Sequence, residues 1–230
     1  RFSSSFYTFE RFDTKNSSET YIRNYEGLSL NFNYDKFSVN SRLGFETNIG
    51  NSLSADPRMR FYNLYLEARE ILDLVTLKVG RQPLFNSVAG GLYDGVNLKV
   101  KYDDFAISGF YGGNVPAYQK LELTDDFAND NVMGASFEGF FLDHFKLGLN
   151  YIDKNFKPVN FFAERIDVNS NLTNLLIEQK SNQFKYLSGD LSYFDEIFTV
   201  DTRYEYDLNY EVTSKVEATG RVQASKKFGV

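Results

Sequence analysis

Short turns flanked by aromatic residues recur along this chain, between runs in which apolar and polar residues alternate. Four such turns lie at residues 34–37, 102–105, 141–145 and 194–198, and each begins and ends with Tyr or Phe. Strict alternation is typical of a β-strand that has one apolar and one polar face. Tight turns between such strands predict an antiparallel sheet in which strands that are consecutive in sequence lie side by side.

The spacing of the turns predicts the overall architecture. The alternation assigns about twelve strands, joined alternately by shorter and longer connections. This order predicts an all-β fold, an antiparallel up-and-down transmembrane β-barrel with tight turns at one rim and longer loops at the other. A short helix is expected near residues 172–179, inside the longest connection, residues 154–182. The short connections are predicted near residues 35, 72, 103, 143, 195 and 226.

The whole chain, residues 1–230, is predicted to form a single barrel domain. No stretch approaches the roughly 18 apolar residues of a membrane-spanning helix. A barrel strand needs no such stretch, because only every second residue faces lipid. Residues 228–230 resemble the start of another strand, so the chain is expected to be the N-terminal part of a longer barrel.

Alternation alone leaves open which face is in contact with water, because a soluble barrel or sandwich would enclose its apolar face. Two features favour a membrane barrel. The polar face carries charged side chains of both signs, which could pair across strands in a polar lumen. The aromatic rings cluster at the turns, where lipid headgroups would lie. The candidate pore-lining residues are Arg42, Glu46, Glu67, Lys78, Arg81, Asp94, Lys99, Glu138, Asp190, Arg203, Glu205 and Arg221.

Composition removes several classes of function. The chain has no cysteine, and therefore no thiolate metal site and no cysteine nucleophile. Its formal net charge is −6, and no basic face of the kind found in nucleic-acid-binding proteins is visible. Its one histidine, His144, falls in a predicted tight turn, which argues against a Ser-His-Asp triad. We therefore expect no enzyme activity, no metal, no cofactor and no nucleic-acid partner.

A short motif carries a resemblance to known proteins. Residues 79–82 read Val-Gly-Arg-Gln, and residues 93–96 read Tyr-Asp-Gly-Val. This pair of segments, about twenty residues in all, resembles alginate-export-type and related carbohydrate porins of Gram-negative outer membranes, and other uncharacterised outer-membrane barrels. The resemblance implies a barrel of about 14 to 18 strands in contact with outer-membrane lipid. It also implies passive diffusion of small hydrophilic or anionic solutes.

The charged pair in this motif permits two interpretations. Arg81 and Asp94 lie on neighbouring predicted strands, so they could form an ion pair at the mouth of the barrel, with Gly95 allowing a bend or bulge. The pair could simply fix the geometry of a loop. Alternatively, Arg81 could join Lys78 and Lys99 in a basic strip that attracts anionic solutes.

Three functions remain open from the sequence. The first is a porin-like channel, narrowed by residues 154–182 if that connection folds inward. Its acidic loops, which include Asp125, Asp126 and Asp130, would favour cations, whereas the basic strip would favour anions. The second is a scaffold barrel that holds partner proteins, or further copies of itself, in a membrane complex. The third is a barrel enzyme of the lipase or protease type, whose catalytic residues would have to lie in strands beyond this sequence.

Overall fold

Every regular element in the computed structural model is a β-strand, and the model describes residues 1–12, 18–50, 57–85, 90–116, 120–166, 168, 171–179 and 183–223. None of these residues forms a helix long and apolar enough to cross a membrane. The strands are β1 (Phe2–Phe12), β2 (Ser18–Tyr34), β3 (Phe37–Ile49), β4 (Arg58–Ile71), β5 (Val75–Phe85), β6 (Gly90–Tyr102), β7 (Phe105–Asn114), β8 (Asn131–Phe141), β9 (Phe145–Asn155), β10 (Val159–Ile166), β11 (Leu172–Gln179), β12 (Gln183–Phe194), β13 (Phe198–Asp207) and β14 (Val212–Val222).

Twelve of the strands form one antiparallel sheet in the order β1 to β9, then β12 to β14. This order confirms the all-β, up-and-down architecture, in which consecutive strands are neighbours. The other two strands, β10 and β11, pair with each other in the connection between β9 and β12. The short helix expected at residues 172–179 is therefore wrong, because that segment is strand β11 and pairs with residues 159–166.

Five of the six predicted short connections are present, near residues 35, 72, 103, 143 and 195, whereas the one predicted near residue 226 lies outside the described residues. Aromatic residues flank the turns that follow β2, β6, β8 and β12. Tyr34 lies opposite Phe37, and Tyr102 lies opposite Phe105. The residues between them include Asp35 at φ 51° and Asp103 at φ 50°, a left-handed conformation that short polar side chains tolerate. The rings of Tyr34 and Tyr102 are exposed, and together the rings at these turns form an aromatic band at one rim of the sheet.

The apolar face of the sheet is the exposed one. A single row of apolar side chains runs across seven neighbouring strands in register, and each of its members is exposed. A water-soluble sheet protein would bury such a row, whereas a lipid-facing surface consists of it. The row comprises Phe32, Val39, Leu66, Val79, Val96, Tyr111 and Met133.

The opposite face is polar, and most of the buried side chains belong to it. Arg23, Ser38, Ser188 and Glu205 are all buried. Buried apolar residues are few among the described residues, namely Tyr21, Leu84, Tyr93, Val132 and Ile152. This inversion of the usual pattern, with polar residues enclosed and apolar residues outside, decides which face is in contact with water.

A β-bulge in β4 changes which residues share a face. The pairing with β3 shifts between Arg42, which lies opposite Asn63, and Leu43, which lies opposite Phe61. The extra residue is Tyr62, whose ring lies beneath the Arg42 guanidinium at 5.4 Å on the polar face. The bulge therefore reverses the alternation within β4, so that Tyr62 lies on the polar face and Phe61, opposite Leu43, lies on the apolar face.

Candidate functional site

The polar face of β2, β3 and β4 carries a network of arginines around one carboxylate. Glu46 lies 3.0 Å from Arg23 and 3.4 Å from Arg60. Arg23 also donates a hydrogen bond of 3.0 Å to Asn48. Sequence reasoning found Glu46 and Arg42 but missed the other two arginines. Arg23 could have been found from the sequence, because it lies two residues before Tyr25 and so shares its face of β2. Arg60 reaches this face only because of the bulge.

A second network lies one strand further along the same face. Glu67 accepts hydrogen bonds from Ser38 at 3.2 Å and from Arg69 at 3.1 Å, and Lys78 lies 3.6 Å from it. Lys99 is exposed on the same face, between Thr76 and Ser108 in register. Of the predicted basic strip, Lys78 and Lys99 therefore do share a face.

A third network covers β12, β13 and β14. Arg203 donates a hydrogen bond of 2.6 Å from Nε to Asp190. Glu205, two residues further on, is buried and lies opposite Ser188 and Lys215. Arg221 lies opposite Thr199 near the turn rim of the sheet.

Arg81 and Asp94 form the predicted ion pair, but their side chains are enclosed. Arg81 Nε and Nη2 bind the two Asp94 oxygens at 2.8 and 2.7 Å, and the residues are only 3% and 8% exposed. Arg81 lies two residues after Val79 on β5, and therefore on the same apolar face, opposite the face that carries Lys78. The assignment of these two residues to the accessible lumen wall, and of Arg81 to the basic strip, is therefore wrong, and the interpretation of a pair that fixes loop geometry fits the structure.

A row of glycines crosses the sheet beside this pair. Gly80, Gly95 and Gly112 lie side by side on β5, β6 and β7. Gly80 has φ 125°, and a Cβ atom at any of the three would collide with backbone, at Gly112 within 2.5 Å of the Asp94 carbonyl oxygen. Only glycine permits strands to approach this closely, so the row marks a local distortion of the sheet.

Beyond this row, the paired ends of β5 and β6 lie over the polar face. Lys154 on β9 donates a hydrogen bond of 3.0 Å to the Gly90 carbonyl oxygen on β6, although β7 and β8 lie between them. In a flat sheet the two strands would be about 14 Å apart. Leu84 of β5 belongs to one apolar cluster with Val132 and Ile152 of β8 and β9. The sheet is therefore strongly curved, and the polar face is its concave side.

The expected narrowing of the lumen by residues 154–182 depends on whether that connection folds inward, and it stays a prediction. In that connection β10 and β11 pair with each other. The described segment over the concave face comprises Pro83, Leu84, Gly90 and Gly91, which we call the inward hairpin end.

A cavity of about 750 Å³ lies between the inward hairpin end and strands β8, β9, β12, β13 and β14. Four carboxylates and two cations line it, and hydroxyl groups lie between them. One of the two cations, Arg203, is already paired with Asp190. The surplus of negative charge favours cations at this position. The charged lining residues are Glu138, Lys146, Asp190, Asp201, Arg203 and Glu217.

The connection between β7 and β8 is fixed to the rim by polar contacts. Asp130 accepts hydrogen bonds from Asn114 and Thr124, each of 2.8 Å. Lys157 donates a hydrogen bond of 2.8 Å to Asp125. This hydrogen bond, with the charge of Lys157, holds the pKa of Asp125 below its ordinary value and raises the pKa of Lys157.

Residues considered for other chemistry lie apart from these networks. His144 lies in the turn between β8 and β9, where its Nδ1 is 3.1 Å from the Phe194 carbonyl oxygen. Its position in a rim turn agrees with the sequence. Among the described residues no group of three side chains could hold a metal ion.

Comparison with known proteins yields structural likeness alone. No protein-family model and no curated protein matches the chain. Pseudomonas putida OprB is 8% identical, with a TM-score of 0.49 over 96% of this chain and 71% of OprB. OmpT, an outer membrane protein of Vibrio cholerae, is 12% identical, with a TM-score of 0.48 over 98% and 70%. A BenF-like porin from Pseudomonas fluorescens is 14% identical, with a TM-score of 0.42 over 90% and 66%.

Proposed function

We propose that this chain forms the wall of a bacterial outer-membrane channel through which small hydrophilic solutes diffuse passively. The observation that carries the proposal is the inverted distribution of side chains. Apolar residues form an exposed row on the convex face, whereas charged and amide side chains occupy the concave face. A lipid-facing exterior around a water-filled interior requires this arrangement. Passive diffusion needs no reacting group, and the aromatic band at the turns would lie among lipid headgroups.

The inward hairpin end and the cavity beside it would form the narrow part of the channel. Solutes would pass between Leu84 and a wall that carries Asp201, Glu138 and hydroxyl groups. Because carboxylates outnumber cations there, we propose that cations and neutral polyhydroxylated solutes pass more readily than anions. The arginine network around Glu46 lies on a different part of the concave face and would attract anions towards the lumen.

Planar lipid bilayers with the full-length protein test this function. We expect stable conductance steps in KCl, and in a KCl gradient a reversal potential of the sign for cation preference. Asp201→Asn should move that potential towards zero, whereas Glu211→Gln, in the turn between β13 and β14, should leave it unchanged. Absence of steps from folded, inserted protein would overturn the channel proposal.

A scaffold that holds partner proteins is the second candidate. The hairpin of β10 and β11 favours it, because Phe162, Ile166 and Leu172 are all more than 70% exposed. Two-stranded hairpins are only marginally stable alone in water, so a contacting surface would stabilise this one. Inserted protein that conducts no ions but retains a bound partner after purification would support the scaffold and exclude the channel.

A further inference from the structure

The Arg81 guanidinium joins four separate segments of the chain. It binds Asp94 on β6 with two parallel hydrogen bonds. It also donates to the carbonyl oxygens of Phe61 on β4, and of Lys120 and Glu122 in the connection between β7 and β8. Planar guanidinium groups suit such multiple, fixed contacts, which a lysine ammonium cannot reproduce.

These contacts lie at the base of the inward hairpin end. Arg81 directly follows Gly80, and Asp94 directly precedes Gly95, so the ion pair lies next to the glycine row that distorts the sheet. On the side of the glycine row that holds Val79 and Val96, β5 and β6 are part of the wall of the sheet. On the other they reach the concave face, where Leu84 packs and Gly90 binds Lys154.

The connection between β7 and β8, which we call the outer connection, packs against the same region. A Cβ atom on Gly113 would lie 2.5 Å from the Thr124 methyl group and 2.9 Å from the Phe127 ring. Thr124 is further held by its hydrogen bond to Asp130. The segment from Lys120 to Thr124 is therefore connected through Arg81 to the two strands that carry the inward hairpin end.

We propose that Arg81 is a positioning residue that couples the outer connection between β7 and β8 to the narrow part of the channel. Its contacts with Lys120, Glu122 and Asp94 hold β5 and β6 in the distorted path that places Leu84 and Gly90 over the concave face. A change in the outer connection is thereby transmitted to the width of the pore. The proposal rests on the proposed channel function for its consequence, but not for its geometry.

A cross-linking experiment tests the geometry without measuring conduction. Because the chain has no cysteine, the double variant Leu84→Cys with Asn150→Cys introduces one thiol pair. These positions line the same two cavities. We expect a short bifunctional thiol reagent to join them in folded protein, as measured by mass spectrometry of the digested chain.

Two further substitutions then weaken the contacts of Arg81 in this double-cysteine variant, one at Arg81 itself and one in the outer connection. Arg81→Lys keeps the charge but loses the paired contacts, and we expect the cross-linking yield to fall severalfold. Thr124→Val leaves Arg81 intact and removes the hydrogen bond that Thr124 donates to Asp130 and the one it accepts from the Asp126 backbone N–H, so it remains informative if Arg81→Lys does not fold. It should lower the yield by a smaller factor. Arg11→Lys, at an exposed position on β1, is the matched control and should cross-link like the parent.

Single-channel conductance of the same variants without the cysteines provides the second measurement. We expect larger steps for Arg81→Lys and Thr124→Val than for Arg11→Lys. Unchanged yield and unchanged conductance in both variants would overturn the coupling, as would a parent protein that does not cross-link. If cross-linking depended on Arg81 but the protein did not conduct, the positioning role of Arg81 would be supported and only the proposed channel function would be overturned.

Discussion

Lys154 on β9 binds the carbonyl oxygen of Gly90 on β6 across two intervening strands. The contact joins two points that a flat sheet would keep apart, and it lies on the concave face beside the cavity of about 750 Å³. The Lys154 ammonium also lies 4.9 Å from the centre of the Phe156 ring. One cation therefore fastens the inward hairpin end to the opposite part of the curved sheet.

Replacing Lys154 by methionine should loosen this end. Methionine keeps the apolar length of the side chain but cannot donate a hydrogen bond, and a hydrogen bond from a charged donor contributes about 1.5–3 kcal/mol. The displaced conformation should become at least roughly tenfold more populated, since each 1.4 kcal/mol is a factor of ten. We expect larger and noisier conductance steps in planar bilayers. Lys101→Met, near a turn, is the control, and identical traces from both variants would contradict the prediction.

Gly95 should not tolerate alanine. The new Cβ atom would overlap the Tyr111 carbonyl oxygen and approach Gly112 Cα to 2.6 Å, and backbone atoms cannot move aside cheaply. Overpacking of this kind typically costs about 1–3 kcal/mol. The midpoint of urea unfolding, followed by circular dichroism in lipid vesicles, should fall accordingly.

Gly220→Ala provides the matched control for that variant. Gly220 lies on β14, and nothing lies within 4 Å of the Cβ atom it would gain. Its free energy of unfolding should stay within about 0.5 kcal/mol of that of the parent protein. Equal effects of the two substitutions would mean that the row of glycines is not a close backbone contact.

The alternation and the turns contain enough information to predict the sheet, but local irregularities change individual residues. Over most strands the period of two assigns faces correctly, and the aromatic-flanked turns mark where strands reverse. The bulge opposite Arg42 has no signal in β4 itself, so Phe61 and Arg60 could be assigned to the correct faces only from the pairing with β3. For Arg81 the sequence does contain the signal, because Arg81 lies two residues after Val79 and therefore belongs to the same apolar face.

The missed strand shows the limit of local patterns. Leu172, Leu175 and Leu176 have the spacing of one helix face, which favoured a helix. The structure instead pairs them with Ile166, Ala163 and Phe162 in an antiparallel hairpin. Pairing between segments decides the conformation of such a short run, and sequence spacing within one segment does not contain it. The inward hairpin end was likewise not predictable, since it depends on contacts between β5, β6 and β9.

Glu46 should be important for the stability of the arginine network. It lies between Arg23 and Arg60, so Glu46→Gln leaves two guanidinium groups close together without their shared carboxylate. Because the Glu46 side chain is 18% exposed, water relieves part of the repulsion, and we expect a loss of about 1–3 kcal/mol. Urea unfolding in vesicles measures it, with Glu196→Gln in an exposed turn as the control. A midpoint equal to that of the control would show that the network does not depend on this carboxylate.

Asp125 should titrate at lower pH than an ordinary carboxylate because Lys157 binds it. A lowered pKa means that this contribution to stability is present above the ordinary carboxylate pKa of about 3.9 and is lost as the pH falls through the lowered value. The raised pKa of Lys157 means that its contribution is present below about 10.4 and is lost as the pH rises through the raised value. Both contributions should therefore persist across neutral pH.

Carboxyl carbon NMR of protein in micelles measures this titration directly. In Lys157→Gln the pKa of Asp125 should rise towards about 3.9, because both the hydrogen bond and the positive charge are removed. Lys36→Gln, which removes a lysine that instead binds Asp73 at the opposite rim, should leave the Asp125 titration unchanged. If Asp125 titrated identically in the parent protein and in Lys157→Gln, the contact between the β7–β8 connection and the segment after β9 would not exist in solution.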